Sequence, residues 1–341
     1  MTIVLSTFFL TLYGFISTPD TPLILFTTLF LFSYNLVLKT NHWKHYLFFT
    51  LSIVGLLYSK YMGVLVVFFT IISNLSLLKN KRFWGSIVMV FLLYLPHLHW
   101  QFVNDFPSIR YHLFERFSEN NSYNVQNTLL HLINQIALFG FTFPLVYLAF
   151  FKNLKSKGSF EKSLTFIVAG FISCFFFASF IGHVQLQWTL VIIIPLIIIT
   201  FNFLSKNQKY IKLFNRLAFI NILFIIAIRF LLANEGIIPI KLECHGNKAW
   251  AVALKEVTKD REIIFLNSYT NPALFTFYTE KKASSHNSIN VRKSQYNILK
   301  IDDQFENKDI LVERSLNSQK EKPYLSFVKG YKKSFHFKHL V

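Results

Sequence analysis

The feature that most constrains this chain is a series of apolar segments repeating along its first two thirds. Each is about 17–22 residues long, the length a helix rising 1.5 Å per residue needs to cross roughly 30 Å of hydrocarbon. Nine are read, at about 2–18, 22–38, 44–59, 62–78, 84–101, 128–151, 163–181, 188–204 and 215–233. They are apolar on every face and lack the alternation of a barrel strand, so helices are the expected spanning form. Composition agrees: 53% hydrophobic residues, 41 Phe and only 15% charged residues are outside the range of a soluble 341-residue chain. The expected fold class is an α-helical polytopic membrane protein with about nine transmembrane helices. The first run has no basic n-region and no small-residue cleavage site, so it does not read as a cleavable signal.

The formal net charge of +18 is distributed as a topology signal. Basic residues occupy alternate loops: Lys39 and Lys44; Lys79, Lys81 and Arg82; Lys152, Lys155, Lys157 and Lys162; Lys206, Lys209, Lys212 and Arg216. The loops between carry Asp20, then Lys60, then a mixed segment with Asp105, Arg110, Glu115, Arg116 and Glu119, then the uncharged GHVQLQ. Loops rich in Lys and Arg stay cytoplasmic. A multi-pass protein of the cell (inner) membrane is expected, with a cytoplasmic N-terminus and an extracytoplasmic C-terminal tail. Because topology accounts for the basic charge, nucleic acid is not an expected partner.

From about residue 234 the composition becomes that of a soluble α/β domain. REIIFLNS and KDILVER read as strands, and NKAWAVALKEVTKD has helical spacing at Trp250, Ala251, Leu254 and Val257. Two domains are expected: a transmembrane domain at 1–233 and a small extracytoplasmic α/β domain at 234–341, hinged near Gly236 and Pro239. The aromatics of NSYTNPALFTFY read as core of that domain rather than as a glycan surface. Cys174 within a span and Cys244 beyond the last one are not placed to pair.

Ionisable groups at a bilayer edge are costly to bury and are candidates for function. Asp20, in the turn TPDT, admits two readings: the N-cap of the helix beginning at Pro22, or a functional acid. Lys60 lies between Tyr58 and Tyr61, either snorkelling among interfacial aromatics or holding a ligand. Arg110, His112 and Arg116 fall within one or two helical turns, interleaved with Tyr111, Phe114 and Phe117. An amphipathic helix on the membrane surface and a cationic clamp for a lipid-linked phosphate both fit that pattern. His183 and Trp188 mark the fourth outward turn, where His183 reads as a proton shuttle, a sugar hydrogen-bonder or a plain interfacial residue. No HExxH, CxxC, GxSxG or Walker A pattern occurs, and His97, His99 and His131 read as structural. No metal site is expected; the outward acid, cations and histidines point to handling of a lipid phosphate at the outer leaflet.

The stretches PDTPLILF, LLYSKYMGVLVV, LPHLHWQFVNDFPSIRYHLFER, GHVQLQWT, CHGNKAWA, FLNSYTNPALFTFYTEKK and VRKSQYNI resemble, in order, landmarks of glycosyltransferase family 39. This is the bacterial branch related to protein O-mannosyltransferases and lipid A aminoarabinose transferase, and the resemblance runs from about residue 17 to about 300. It implies a GT-C-like transmembrane domain and inverting transfer of a sugar from a polyprenyl-phosphate donor. The implied acceptor is an envelope glycan, lipid or protein at the outer face; membrane lipid is a further partner, and no cofactor is implied beyond the donor substrate. The resemblance places Asp20 as the catalytic acid of the cavity, with Lys60 and Tyr61 near the donor phosphate. It puts Arg110, His112 and Arg116 on a loop closing over donor or acceptor, and Asp105, His183 and Trp188 along the cavity.

Members of that family carry further spans before the PDTPL turn, with a long outward loop whose Asp-Glu motif supplies the principal base. Here Asp20 stands 19 residues after Met1, so a form lacking the N-terminal catalytic portion is expected. A non-catalytic protein binding lipid phosphate or glycan is the competing reading, favoured by the missing acidic loop. A transporter fits less well, because no pair of broken helices and no inverted repeat with mid-depth charges is visible.

Overall fold

The computed structural model describes residues 2–14, 18–110, 123–234, 237, 245–259, 261–287, 294–299 and 310–313. The chain divides into two compact units, Met1–Asn234 and Glu235–Val341, each with its own apolar core.

In the first unit the helices are α1 (Thr2–Leu5), α2 (Phe8–Tyr13), α3 (Asp20–Lys39), α4 (Trp43–Ser59), α5 (Gly63–Ser73) and α6 (Lys81–Val103). They continue as α7 (Pro107–Arg110), α8 (Val125–Phe139), α9 (Phe143–Asn153), α10 (Ser159–Ala178), α11 (Ile193–Lys206) and α12 (Ile211–Ala233). Six stretches are long and apolar enough to cross a membrane: Asp20–Lys39, Lys81–Val103, Val125–Asn153, Ser159–Ala178, Leu186–Lys206 and Gln208–Ala233. The architecture is that of a polytopic helical membrane protein. The other three expected segments are shorter: α4 has 17 residues, α5 has 11 before a 3-10 turn at Leu75–Lys79, and residues 2–13 form two short helices.

Local chemistry sets several helix starts. Asn80 and Asn124 accept from the backbone N–H two residues on, each at 2.9 Å, satisfying donors that have no partner inside the helix. Pro144 near the start of α9 costs no hydrogen bond there. A short turn folds α3 onto α4, and packing between helices more distant in the chain sets α4 on α6, α5 on α10, and α9 on α11. Phe30, Tyr34 and Phe49 form a stacked centre, with Phe30 and Phe49 ring centroids 5.2 Å apart. The Tyr34 hydroxyl accepts from Asn74 at 3.2 Å and Ser163 at 3.1 Å, so its polar tip is satisfied inside that apolar packing. Outside, large apolar side chains such as Phe32, Phe91, Phe219 and Phe230 stand more than half exposed. A surface this apolar is unsuited to water and matched to lipid.

Two helical runs are interrupted at one place. The chain breaks between α1 and α2 at Ser6–Thr7, and between α8 and α9 at a 3-10 turn, Gly140–Thr142. Asn221, fully buried in the middle of α12, serves both breaks. Its Nδ2 donates to Ser6 O and Phe139 O, each at 2.7 Å, and its Oδ1 accepts from Phe141 N at 3.0 Å. Gly140, at φ +54°, lies against that amide, and a Cβ there would come within 2.4 Å of Oδ1. The sequence shows no pair of broken helices; the structure has one, but the freed backbone groups are taken up by a neutral amide and not held open for an ion.

The second unit is a small parallel α/β sheet. Its elements are α13 (Asn247–Thr258), β1 (Glu262–Leu266), α14 (Thr270–Thr279), β2 (Ala283–His286), α15 (Gln295–Ile298) and β3 (Ile310–Glu313), with strand order β2-β1-β3. Ile263 pairs with Ala283 on one side and with Leu311 on the other. Phe265 and Phe275 are fully buried, whereas Tyr269 and Phe277 project outward, so the aromatics around α14 divide between core and surface.

Candidate functional site

Asp20 and Lys60 meet. Asp20 opens α3 and Lys60 follows the last residue of α4, and the α3–α4 packing brings these ends together. Lys60 Nζ donates to Asp20 Oδ1 at 2.6 Å, with the Asp20 side chain 4% exposed and that of Lys60 23% exposed. The carboxylate sits in the first turn of a helix and the ammonium at the end of another, so each charge also suits the helix dipole beside it. Of the two readings of Asp20, simple capping is not what the carboxylate does: it accepts from Lys60, and Pro19 holds the N-cap position. The pair is closed on itself. In this arrangement each charge is neutralised by the other, so the carboxylate becomes a stronger base and the lysine a stronger phosphate partner when the two separate.

Beside it lies a polar and aromatic cluster. Tyr61 follows Lys60 in sequence, and its hydroxyl is 2.9 Å from Nε2 of His97 on α6. Gln101, one helical turn beyond His97, is buried; its Nε2 donates to the Tyr61 hydroxyl and lies 3.3 Å from His97 Nε2. Gln101 Oε1 is buried with no hydrogen-bond partner among the described residues. His97 lies against the ring of Tyr94 at 4.9 Å and stacks on Trp100 at 5.9 Å, and the Tyr58 hydroxyl donates to Leu93 O at 3.0 Å. Reading His97 as merely structural misses this link. The signal was available, since His97, Gln101 and the nearby Trp100 share one face at helical spacing.

The remaining expected site residues are dispersed. Asp105 and Phe106 both have positive φ, 60° and 52°, where the chain turns from α6 into α7. A bulky residue in that region is uncommon and costs about 1–3 kcal/mol. Asp105 and Arg110 are exposed, Arg110 at the end of α7; His112 and Arg116 lie outside the described residues. His183 is exposed in the turn after α10. Trp188 is buried, packs on Phe175 at 5.6 Å and donates its indole N–H to Gln185 Oε1 at 3.0 Å, which places it in the packing. Sequence reasoning also passed over Arg229 of α12, whose guanidinium donates to Thr11 O, an ionisable group within a span.

Thus Asp20, Lys60, Tyr61, His97 and Gln101 form one buried-to-exposed constellation at one end of the bundle. Among the described residues no group of three His, Cys, Asp or Glu side chains is gathered that could hold a metal. Set against known protein families, curated proteins and solved structures, the chain matches none of them.

Proposed function

We propose that this chain transfers a sugar from a polyprenyl-phosphate donor to an envelope acceptor at the outer face of the membrane. The observation that carries the proposal is the Asp20–Lys60 pair, an acid and a cation of the two kinds such a transfer needs, joined at 2.6 Å. The resemblance to glycosyltransferase family 39 supports the same reading. The pair is then the resting state of the site. An incoming donor phosphate takes the Lys60 ammonium away from Asp20, and the freed carboxylate becomes a base. The acceptor O–H proton goes to Asp20, the acceptor oxygen bonds to the anomeric carbon with inversion, and the polyprenyl phosphate leaves with its charge held by Lys60. Tyr61, backed by His97 and Gln101, supplies a hydroxyl next to that phosphate.

The experiment is transfer from a radiolabelled polyprenyl-phosphate sugar in native membranes containing the full chain. Asp20→Asn is expected to lower kcat by about 10²–10⁴-fold, the usual contribution of a general base, with donor binding retained. Undiminished transfer by that variant sinks the role of Asp20. The neighbouring cluster of Tyr61, His97 and Gln101, which contains no carboxylate, also favours one alternative: a protein that binds lipid phosphate or glycan without chemistry. Donor binding with no turnover by the native chain would establish it.

A further inference from the structure

At the end of the bundle away from Asp20, the last turns of α3, the first turn of α10 and the second half of α11 enclose a cleft of about 570 Å³. Asn35 and Lys39 come from α3, Ser159 and Glu161 from α10, and Asn202 from α11. Polar groups elsewhere at this end are paired: Ser73 with Ser163 at 2.6 Å, Asn80 with Tyr46 at 2.6 Å, and Asn153 with Thr165 at 2.8 Å. Those of the cleft are different. Lys39 and Glu161 line one space, yet no ion pair joins them: the Lys39 ammonium and the Glu161 carboxylate stand more than 4.0 Å apart. The carboxamides of Asn35 and Asn202 likewise make no side-chain hydrogen bond among the described residues.

We propose that this cleft binds the head group of an amine-bearing zwitterionic phospholipid. The size is right for a small polar ligand, since such sites run to about 300–1,000 Å³. A purely anionic head group would meet the Glu161 carboxylate, and a purely cationic one the Lys39 ammonium. A head group with both charges satisfies both residues: phosphate on Lys39, ammonium on Glu161, and ester or phosphate oxygens on the two amides. A primary ammonium is selected over a quaternary one because only the former can donate N–H to the carboxylate. Placement agrees, because α3 spans about 28 Å from Asp20 to Lys39 at 1.5 Å per residue, which sets its last turn at head-group depth. Ile198 lines the cleft, and Phe201, 62% exposed one turn on, continues an apolar track for the acyl chain.

The inference rests on the membrane reading and not on sugar transfer, so the two fail separately. The test is native mass spectrometry of the full chain, delipidated and then offered palmitoyl-oleoyl phosphatidylethanolamine, phosphatidylcholine and phosphatidylglycerol in mixed micelles. Retention of the ethanolamine lipid about tenfold over the other two is expected, the scale of one charge-assisted hydrogen bond. Glu161→Gln should bring the ethanolamine lipid down to the choline lipid, and Lys39→Gln should weaken both. Asn202→Ala, which removes no side-chain hydrogen bond among the described residues, should weaken the ethanolamine lipid with little change in melting temperature. Preference for phosphatidylglycerol, or unchanged selectivity in Glu161→Gln, overturns the assignment. Equal binding of water-soluble glycerophosphoethanolamine overturns the lipid as its source.

Discussion

The two members of the Asp20–Lys60 pair are not equivalent. Asp20 is almost wholly enclosed, whereas Lys60 retains a path to water. Removing the lysine strands a buried carboxylate, and breaking buried pairs in this way costs about 3–5 kcal/mol. Removing the acid leaves a lysine that can swing outward, at about 1–2 kcal/mol. Lys60→Met is therefore expected to lower the melting temperature in detergent more than Asp20→Asn, and the double variant Asp20→Asn, Lys60→Met to recover most of the loss. A double variant no more stable than Lys60→Met would show that the pair does not hold α3 and α4 together. Both residues were legible in the sequence as isolated charges in alternate turns between apolar segments. Their contact was not, because it joins positions 40 residues apart and depends on how α3 lies on α4. The spacing of Gln101 one turn from His97 was readable, but its contact with Tyr61 was not, because that joins positions 40 residues apart and depends on how α6 lies on α4.

Elements show the same division between pattern and context. The run 128–151 reads as one span, and it is two helices because Gly140 adopts φ +54° and Asn221 replaces the lost backbone partners. Asn221→Leu leaves two buried carbonyls and one N–H unsatisfied, at about 1–3 kcal/mol each. A loss of about 3 kcal/mol or more is expected in a detergent melt, with Asn221→Asp no better, because it sets a buried acid against the carbonyl oxygens of Ser6 and Phe139. A neutral result for Asn221→Leu would mean that water reaches the break. In the second unit α13, β1 and β3 were readable from apolar and β-branched residues. The strand β2, with the sequence ASSH, was not: no β-branched residue marks it, and it is a strand because it pairs with β1 and buries Ser284 and Ser285. At the far edge, burial raises the Glu313 carboxyl above its ordinary 4.5, and a hydrogen bond from Asn271 offsets part of the rise. A raised folded value means that the stabilising contribution is complete below about pH 4.5 and is lost as pH rises through the folded value. Glu313→Gln in the full chain should slow hydrogen exchange of the β1 amides relative to wild type at about pH 7, with little difference at about pH 4. Equal protection at both would remove Glu313 as a source of pH dependence.

At the scale of the molecule, the nine apolar segments correspond, among the described residues, to six stretches long and apolar enough to cross a membrane and three shorter runs, and side-chain contacts show how far the short ones reach. Lys60 after α4 meets Asp20 at the start of α3, so the 17 residues of α4 traverse the depth of a 20-residue helix. At the other end of α5, Ser73 meets Ser163 near the start of α10, and Ser163 meets Tyr34 in the second half of α3. The 11 residues of α5, about 16 Å of helix, therefore run from the Asp20 end toward the Lys39 end as far as the level of Tyr34. Thickness within a bundle is set by packing as much as by segment length. With each helix alternating ends, the loop at Lys152, Lys155 and Lys157 falls at the Lys39 end, and His183 at the Asp20 end. By the positive-inside rule the Lys39 end is the one expected in the cytoplasm. In a chain carrying Cys174→Ala and Cys244→Ala, a membrane-impermeant maleimide added to intact cells should label His183→Cys and leave Lys155→Cys unlabelled until the membrane is opened. The reverse pattern would turn the Asp20–Lys60 pair to the cytoplasm and remove the basis for an outer-face sugar transfer. It would leave the cleft at Lys39 facing a leaflet of different lipid composition, so this one labelling experiment bears on the functional proposal and the lipid site together.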